Sequence, residues 1–438
     1  MIDPFQLRRI TADQMARFKS QDPGIPRRIN PEHYRERSRI VVISGVRRCG
    51  KSTLLKQLSQ GYDPVLYLNC DDDRLVGADT SDLAALLVIW EEVYPGARTV
   101  FLDEIQNIPG WERVIRRMHD DGYNIFLTGS NSHLLSIEFG THLTGRYIQI
   151  ELFPFGFDEM CRLKKILINK SGLITTRQEA GILRLFSLYL EDGGFPEYQK
   201  DPDPDILRRT FDDIIFRDVI TRYGIREIKA FRELARYLLT NMTREASLNS
   251  LASVIGIKSG LSIKTWIGYL EDSYLLGSLC PYEYSMKQQL SRNRKYYGID
   301  TGMRNAVAFR FSDDSGLLLE NMVWTELRRQ GKIVYGWTGK RECDFVVVDR
   351  AQVKTAIQVC FHLMHENRQR EIEGLAEVME RFPDCTGIIL TERQEEMLTV
   401  KDRPVRVIPV WRWVLEETGF VQDAGRPVTM PVPERENR

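Results

Sequence analysis

The sequence predicts an α/β protein: a nucleotide-binding domain on a parallel sheet, then a helical stretch, then a second region of mixed strands and helices. Three observations carry this. Short, near-continuous apolar runs alternate with helical patterns from residue 39 to about 152, as in strands buried on both faces of a parallel sheet. The stretch "GVRRCGKST", residues 45–53, lies between one such strand and a helix. Beyond residue 286, strand-like runs and helical patterns mix again.

At 438 residues the chain exceeds one core, so about two or three domains are expected. Lys+Arg and Asp+Glu both total 61, which argues against a general polyanion binder and leaves nucleic-acid contact to local patches. The longest apolar run, "LAALLVIW" at 83–90, is far below the roughly 20 residues of a membrane span, and "MIDPFQLRRITADQ" lacks the apolar core of a signal peptide. A cytoplasmic protein without membrane contact is expected. The 7 cysteines form no C-x-x-C pair and no zinc-spaced cluster, so free thiols are expected.

Residues 1–38 are polar and arginine-rich and read as an N-terminal arm with solvated charges. "RIVVIS" (39–44) is the first strand, and the phosphate loop follows it directly. Gly45 and Gly50 allow a tight turn that brings the N–H groups of Gly45, Val46, Arg47, Arg48, Cys49, Gly50, Lys51, Ser52 and Thr53 toward phosphate oxygens. Lys51 supplies a cation to the β/γ-phosphates, and the start of helix "KSTLLKQL" adds its dipole. Ser52 offers a hydroxyl to Mg²⁺, with Thr53 beside it. Arg47 and Arg48 either touch nucleotide or a partner, or lie solvated on the surface.

"TVFLDEIQN" (99–107) is a strand ending in an acidic pair. Asp103 is placed to hold the magnesium's water shell, and Glu104 to deprotonate a water attacking the γ-phosphate. One strand-like run, "PVLYLNC" (64–70), lies between loop and pair, and is expected to be inserted between their strands in the sheet. ATP hydrolysis follows, rather than simple nucleotide sensing. "IFLTGSNS" (125–132) ends another strand, where Ser130 or Asn131 could face the attacking water; an ordinary strand-end turn is the alternative. In "LTGRYIQIEL" (143–152), Arg146 could stabilise charge on a γ-phosphate. If it does so in a neighbouring subunit, the enzyme is an oligomer; a surface salt bridge is the alternative.

From 158 to 245 the pattern is helical, broken by "EDGGFPEY" at 191–198. Residues 247–276 read as a short helix, a glycine turn and a longer helix, with Leu251, Ile255, Ile263, Trp266, Ile267, Leu270 and Tyr274 forming a buried face. Glu271 and Asp272 on the other side would repel DNA phosphates, which makes "SRNRKYY" (291–297) the better phosphate-contact candidate.

Taken together, "RRINPEHY", "GVRRCGKSTLL", "FLDEIQNIPGWERVIRRMHDDG", "LTGSNSHLLS", "LTGRYIQIELFPFGFDEM", "GGFPEY", "IIFRDVITRYGI", "KYYGIDTGMRNA" and "LENMVWTELRRQG" resemble a large prokaryotic family of uncharacterised ATPases, in which an AAA-type P-loop domain precedes a nuclease-like domain of unknown function. The resemblance implies an ATPase core at 39–157, a helical lid at 158–245, a winged-helix-like segment at 246–285 and, at 286–438, a degenerate PD-(D/E)XK domain. The segment order of the last region, helix, three strands, helix, strand, matches that nuclease core. Asp344 can take the acid place on its second strand and Glu320 or Glu326 the helix place; Glu342 shares a face with Asp344. On the third strand, "IQVC" puts Gln358 and Cys360 where such enzymes carry an acid and a lysine, so cleavage is not expected. ATP and Mg²⁺ are the expected cofactors and a homo-oligomer, as in a ring, the expected assembly. For the output, a DNA-associated motor, an ATP-gated protein switch and an ATP-driven nuclease stay open.

Overall fold

The computed structural model describes residues 2–35, 39–130, 145–166, 174–308 and 314–420. Asn131 lies outside them. The described chain divides into two units, the first up to Phe153 with Asp272–Tyr274, the second Pro154–Glu271 with Leu275 onward.

In the first unit, residues 4–20 of the expected arm form a helix, α1 (Pro4–Ser20). Asp3 caps it by accepting from the Gln6 N–H at 3.1 Å, and Pro4 suits its first turn. Leu7, Ile10, Met15 and Phe18 bury one face, with Phe18 stacked 4.0 Å from the Tyr67 ring. Polar Thr11 and Gln14 share that face, which hides the helical period from a hydropathy reading.

The strands are β1 (Ile40–Gly45), β2 (Val65–Asn69), β3 (Thr99–Asp103), β4 (Asn124–Gly129) and β5 (Tyr147–Leu152). They run parallel in the order β2-β3-β4-β1-β5. Helices α2 (Lys51–Ser59), α3 (Thr80–Val93) and α4 (Trp111–Asp120) provide the connections. This corrects one expectation: the strand inserted between β1 and β3 is β4, while the "PVLYLNC" strand β2 lies at the edge. Chain order does not fix strand order, because a helical crossover can skip a position. The parallel register brings the carboxyl ends of β1, β3 and β4 to one side of the sheet.

The second unit opens with helices α5 (Phe157–Leu163), α6 (Thr176–Asp192), α7 (Pro204–Asp213) and α8 (Ile228–Thr240). Helices α9 (Leu248–Ile255) and α10 (Gly260–Asp272) accompany a small antiparallel sheet of β6 (Glu245–Ala246), β7 (Leu276–Leu279) and β8 (Arg294–Gly298), ordered β6-β8-β7. Because β8 pairs with both β6 and β7, this segment continues past the expected boundary at 285. Next come α11 (Thr301–Val307) and α12 (Ser315–Arg329). A mixed six-stranded sheet follows, in the order β13-β14-β12-β11-β10-β9. Its strands are β9 (Ile333–Thr338), β10 (Glu342–Asp349), β11 (Gln352–Val359), β12 (Thr386–Thr391), β13 (Glu396–Val400) and β14 (Arg403–Pro409). Helix α13 (His365–Arg381) joins β11 to β12, and α14 (Val410–Glu417) follows β14.

Candidate functional site

The site is built where β1 turns into α2. Gly45 has φ +154°, and a Cβ there would overlap the Leu152 carbonyl oxygen, so only glycine fits beside β5. Gly50 caps α2 at φ 100°, and Arg48 also has positive φ, which gives the loop its reversed curvature. Cys49 and Val46 are buried, and Arg48 is exposed.

From below, the loop is braced by a residue that sequence reasoning placed in solvent. Arg27 is buried: its guanidinium donates to the Cys49 carbonyl at 2.9 Å and to the Phe153 carbonyl at 2.6 Å. Gln57 of α2 fixes the same segment, accepting from the Arg27 N–H at 3.1 Å and donating to the Pro23 and Ile25 carbonyls at 2.7 Å each. No local sequence period could have found this, because the partners lie about 20 to 130 residues away.

Lys51 is almost fully buried, and its ammonium donates to the Gly45 and Val46 carbonyls at 3.2 Å each. Glu104 Oε1 lies 3.7 Å from that ammonium. Asp103 is buried and hydrogen-bonds with the hydroxyls of Ser52, Thr128 and Tyr67, the last at 3.4 Å. Burial raises its carboxyl above the ordinary range, helped by Glu104, while Ser52, Thr128 and Lys51 oppose this. A cation beside Asp103 would favour its ionised form.

Thr128 of β4 is a residue the sequence reading passed over. Its hydroxyl donates to Asp103 and accepts the Glu104 N–H at 2.9 Å, so it fixes both acids of the pair. Glu104 has left-handed backbone, φ 51° and ψ 45°, which turns its side chain out of the strand, and the Gln106 amide donates to its carboxylate. Lys51, Ser52, Asp103 and Glu104 therefore converge at the loop. Ser130, directly after β4, is buried.

Arg146 is placed elsewhere. It precedes β5, whose Tyr147 pairs with Ile40 at the start of β1, whereas the loop follows Gly45 at the other end. Five residues of strand make about 16 Å. Arg146 therefore lies at the opposite end of the strands from its own loop, and its guanidinium donates to Asp120 at 2.7 Å.

In the second unit, "SRNRKYY" is not a free cationic patch. Arg292 pairs with Glu283 at 3.0 Å, Arg294 donates to the Ser278 hydroxyl at 3.3 Å, and Lys295 turns inward onto Glu320, Glu342 and Asp344. The β6-β8-β7 pairing aims alternate side chains of β8 into the interior. Glu271 likewise does not project from α10, because it accepts the Ser278 N–H at 2.9 Å. Asp272, at the end of α10, is half-buried, and Lys258, Lys264 and Thr265 are exposed around the helix, with Lys287 farther along the chain. Gln358 donates to Glu371 at 2.7 Å and accepts from the Asp344 N–H at 3.3 Å, while Cys360 is a buried thiol pushed up to about 12 by burial. Glu326 pairs with Arg329 at 3.2 Å, which leaves Glu320 as the helix acid beside Asp344. Among the described residues, no group of three or more His, Cys, Asp or Glu side chains is arranged to hold a metal ion, and no helix is long and apolar enough to cross a membrane.

Residues 37–161 match a family described as AAA domain, and residues 183–314 match a domain of unknown function (DUF8612). The chain is 33% identical over 399 residues to the uncharacterized protein MJ1544 of Methanocaldococcus jannaschii, covering 86% of this chain and 88% of that one. It is 28% identical over 397 residues to an uncharacterized protein of Haemophilus influenzae, covering 86% and 94%. Among solved structures, replication initiator DnaA bound to AMPPCP and single-stranded DNA is similar at 17% identity, over 55% of this chain and 84% of that chain, with a TM-score of 0.25. AMPPCP-bound DnaA from Aquifex aeolicus is similar at 16% identity, over 60% and 86%, with a TM-score of 0.21.

Proposed function

The chain belongs to the same family as the uncharacterized protein MJ1544 of Methanocaldococcus jannaschii and carries an AAA-domain match at residues 37–161, and on that premise we propose that it is a Mg²⁺-dependent ATPase that works as a homo-oligomer and couples ATP turnover to DNA. The observation that carries this reading is the convergence of Lys51, Ser52, Asp103 and Glu104 on one glycine loop.

In this reading the loop amides and the Lys51 ammonium hold the β/γ-phosphates, and Thr53 supports the first turn of α2. The γ-phosphate competes with Glu104 for the ammonium. Released from it, the Glu104 carboxylate takes the proton of the attacking water. The Ser52 hydroxyl and Asp103 carboxylate are the kind of oxygen pair that suits Mg²⁺, which would neutralise charge on the β- and γ-phosphates.

Arg146 lies too far from its own loop to serve it and pairs with Asp120 in the surface salt bridge that was the alternative reading, so service to a neighbouring copy's γ-phosphate requires that pair to open. Residues 246–298 act as a winged helix, and the six-stranded region as a recognition domain of nuclease-like fold without cleavage. Lys258, Lys264 and Thr265, exposed around α10 now that Glu271 is turned to the sheet, support DNA as the partner. Exposed Val254 and Leu261 on the same helices favour a second reading, an ATP-gated switch for a protein partner.

The test is phosphate release by the full chain with and without duplex DNA. Wild type should turn over ATP faster with DNA, and the gain should shrink steeply with salt. Lys51→Ala should neither bind nor hydrolyse ATP. Mixed with Arg146→Ala it should recover part of the activity. ATP turnover indifferent to DNA would transfer support to the protein switch, and no turnover in wild type would remove the ATPase reading.

A further inference from the structure

Outside the nucleotide site, the densest ionic cluster in the second unit surrounds Lys295. Its side chain, 13% exposed, projects from β8 and places the ammonium 3.2 Å from Glu320 Oε1 on α12, 2.5 Å from Glu342 Oε1 and 3.4 Å from Asp344 Oδ1, both on β10. Three carboxylates from two elements thus share one ammonium from a third. Two of the three acids have a further partner in the chain, and the third, Glu342, has a side chain 53% exposed. The Tyr297 hydroxyl, also on β8, donates to Glu320 at 2.8 Å, and the Val359 N–H donates to the second Asp344 oxygen at 2.9 Å. Gln358 accepts the Asp344 N–H and is itself held by Glu371, so the floor of the cluster is fixed.

The acids that the sequence offered as metal ligands therefore converge in space, and a cation already stands among them. A divalent ion bound to the same oxygens would sit within about 4 Å of that ammonium, where like charges in a poorly solvated site repel strongly. Burial by itself would lower the Lys295 amine, but the surrounding carboxylates outweigh it and keep it protonated. The cluster also crosses between sheets: β8 belongs to the small three-stranded sheet, and β10 to the six-stranded one.

We propose that the Lys295 ammonium is the permanent counter-cation of the Glu320–Glu342–Asp344 trio, filling the place a divalent metal would need and fastening the small sheet to the six-stranded sheet without one. Spread around the ammonium, the three acids are not arranged to hold a metal ion; they are a cation site closed by the chain's own side chain. Lysine at 295 makes this region an ionic joint, and its removal opens a site for a hard divalent cation such as Mn²⁺. This holds whether or not the nucleotide site hydrolyses ATP.

The experiment measures Mn²⁺ binding and thermal unfolding of the full-length, nucleotide-free chain. Asp344→Asn serves as the control for binding at the trio. Wild type should show no Mn²⁺ binding that Asp344→Asn removes, no metal-dependent rise in melting temperature and no cleavage of plasmid DNA with Mn²⁺. Lys295→Met should melt lower in chelator and recover with Mn²⁺, and should bind the ion at least roughly tenfold more tightly than wild type. Lys295→Met/Asp344→Asn should lose that gain. A folded Lys295→Met that Mn²⁺ neither binds nor stabilises would overturn the proposal. So would wild type binding Mn²⁺ at the trio, an outcome readable even if Lys295→Met fails to fold.

Discussion

Replacing Glu104 by Gln removes a charge while keeping the shape of the side chain, and the geometry separates its effects. Glu104 lies 3.7 Å from the Lys51 ammonium, with side chains 23% and 4% exposed. At an effective dielectric of about 20, such a pair attracts by about 4 kcal/mol before desolvation. Because Lys51 keeps two carbonyl acceptors and Glu104 is partly solvated, the net loss of stability should be about 1 kcal/mol. With ATP bound, the same substitution removes a negative charge near the γ-phosphate, so affinity should stay level or tighten by up to about tenfold. Turnover should fall by about 10² to 10⁴, the usual worth of a positioned base and equal to about 3 to 5 kcal/mol of barrier. Fluorescent-ATP binding and phosphate release on the same preparation read these separately. Turnover within about threefold of wild type would refute Glu104 as the base. Binding and turnover lost together would assign it a structural role.

Gly45→Ala should cost about 2–4 kcal/mol in chemical unfolding and abolish ATP binding, since the new methyl must displace the Leu152 carbonyl of the neighbouring strand. Arg27→Met should destabilise by about 2–4 kcal/mol and weaken ATP binding by roughly tenfold or more, because the Cys49 and Phe153 carbonyls lose a charged donor; unchanged affinity would exclude it as a loop brace. Burial holds Asp300 up to about 6, against an ordinary 3.8, with the N–H groups of Gly194, Met303 and Gly302 opposing. The folded state thus keeps a proton that the unfolded chain has released, so this contribution to stability is full below pH 3.8 and is lost as pH rises through about 6. Unfolding free energy measured from about pH 4 to about pH 7 should decline less steeply in Asp300→Asn, and an equal slope would exclude Asp300 as the titrating group.

The sequence alone located the glycine loop and the residues that compose it. Two glycines, a lysine and a hydroxyl at fixed spacing act over nine consecutive residues, and the strand before them and helix after them are local as well. The acidic pair at the end of an apolar strand was legible for the same reason, as was the parallel character of the sheet, written in runs without alternation. Placement of partners far apart in the chain was decided only by the tertiary structure. Strand order is set by crossovers, so β4 rather than β2 entered between β1 and β3. Arg27 and Thr128 hold their places through contacts with Phe153, the loop and the acidic pair that no period reveals. Lys295 read as one cation in a polar run, because nothing within a few residues of it signals three carboxylates 25 to 49 positions away. Long-range electrostatic partners are chosen by packing, since a charge leaves water only where folding brings an opposite charge or a hydrogen bond to meet it.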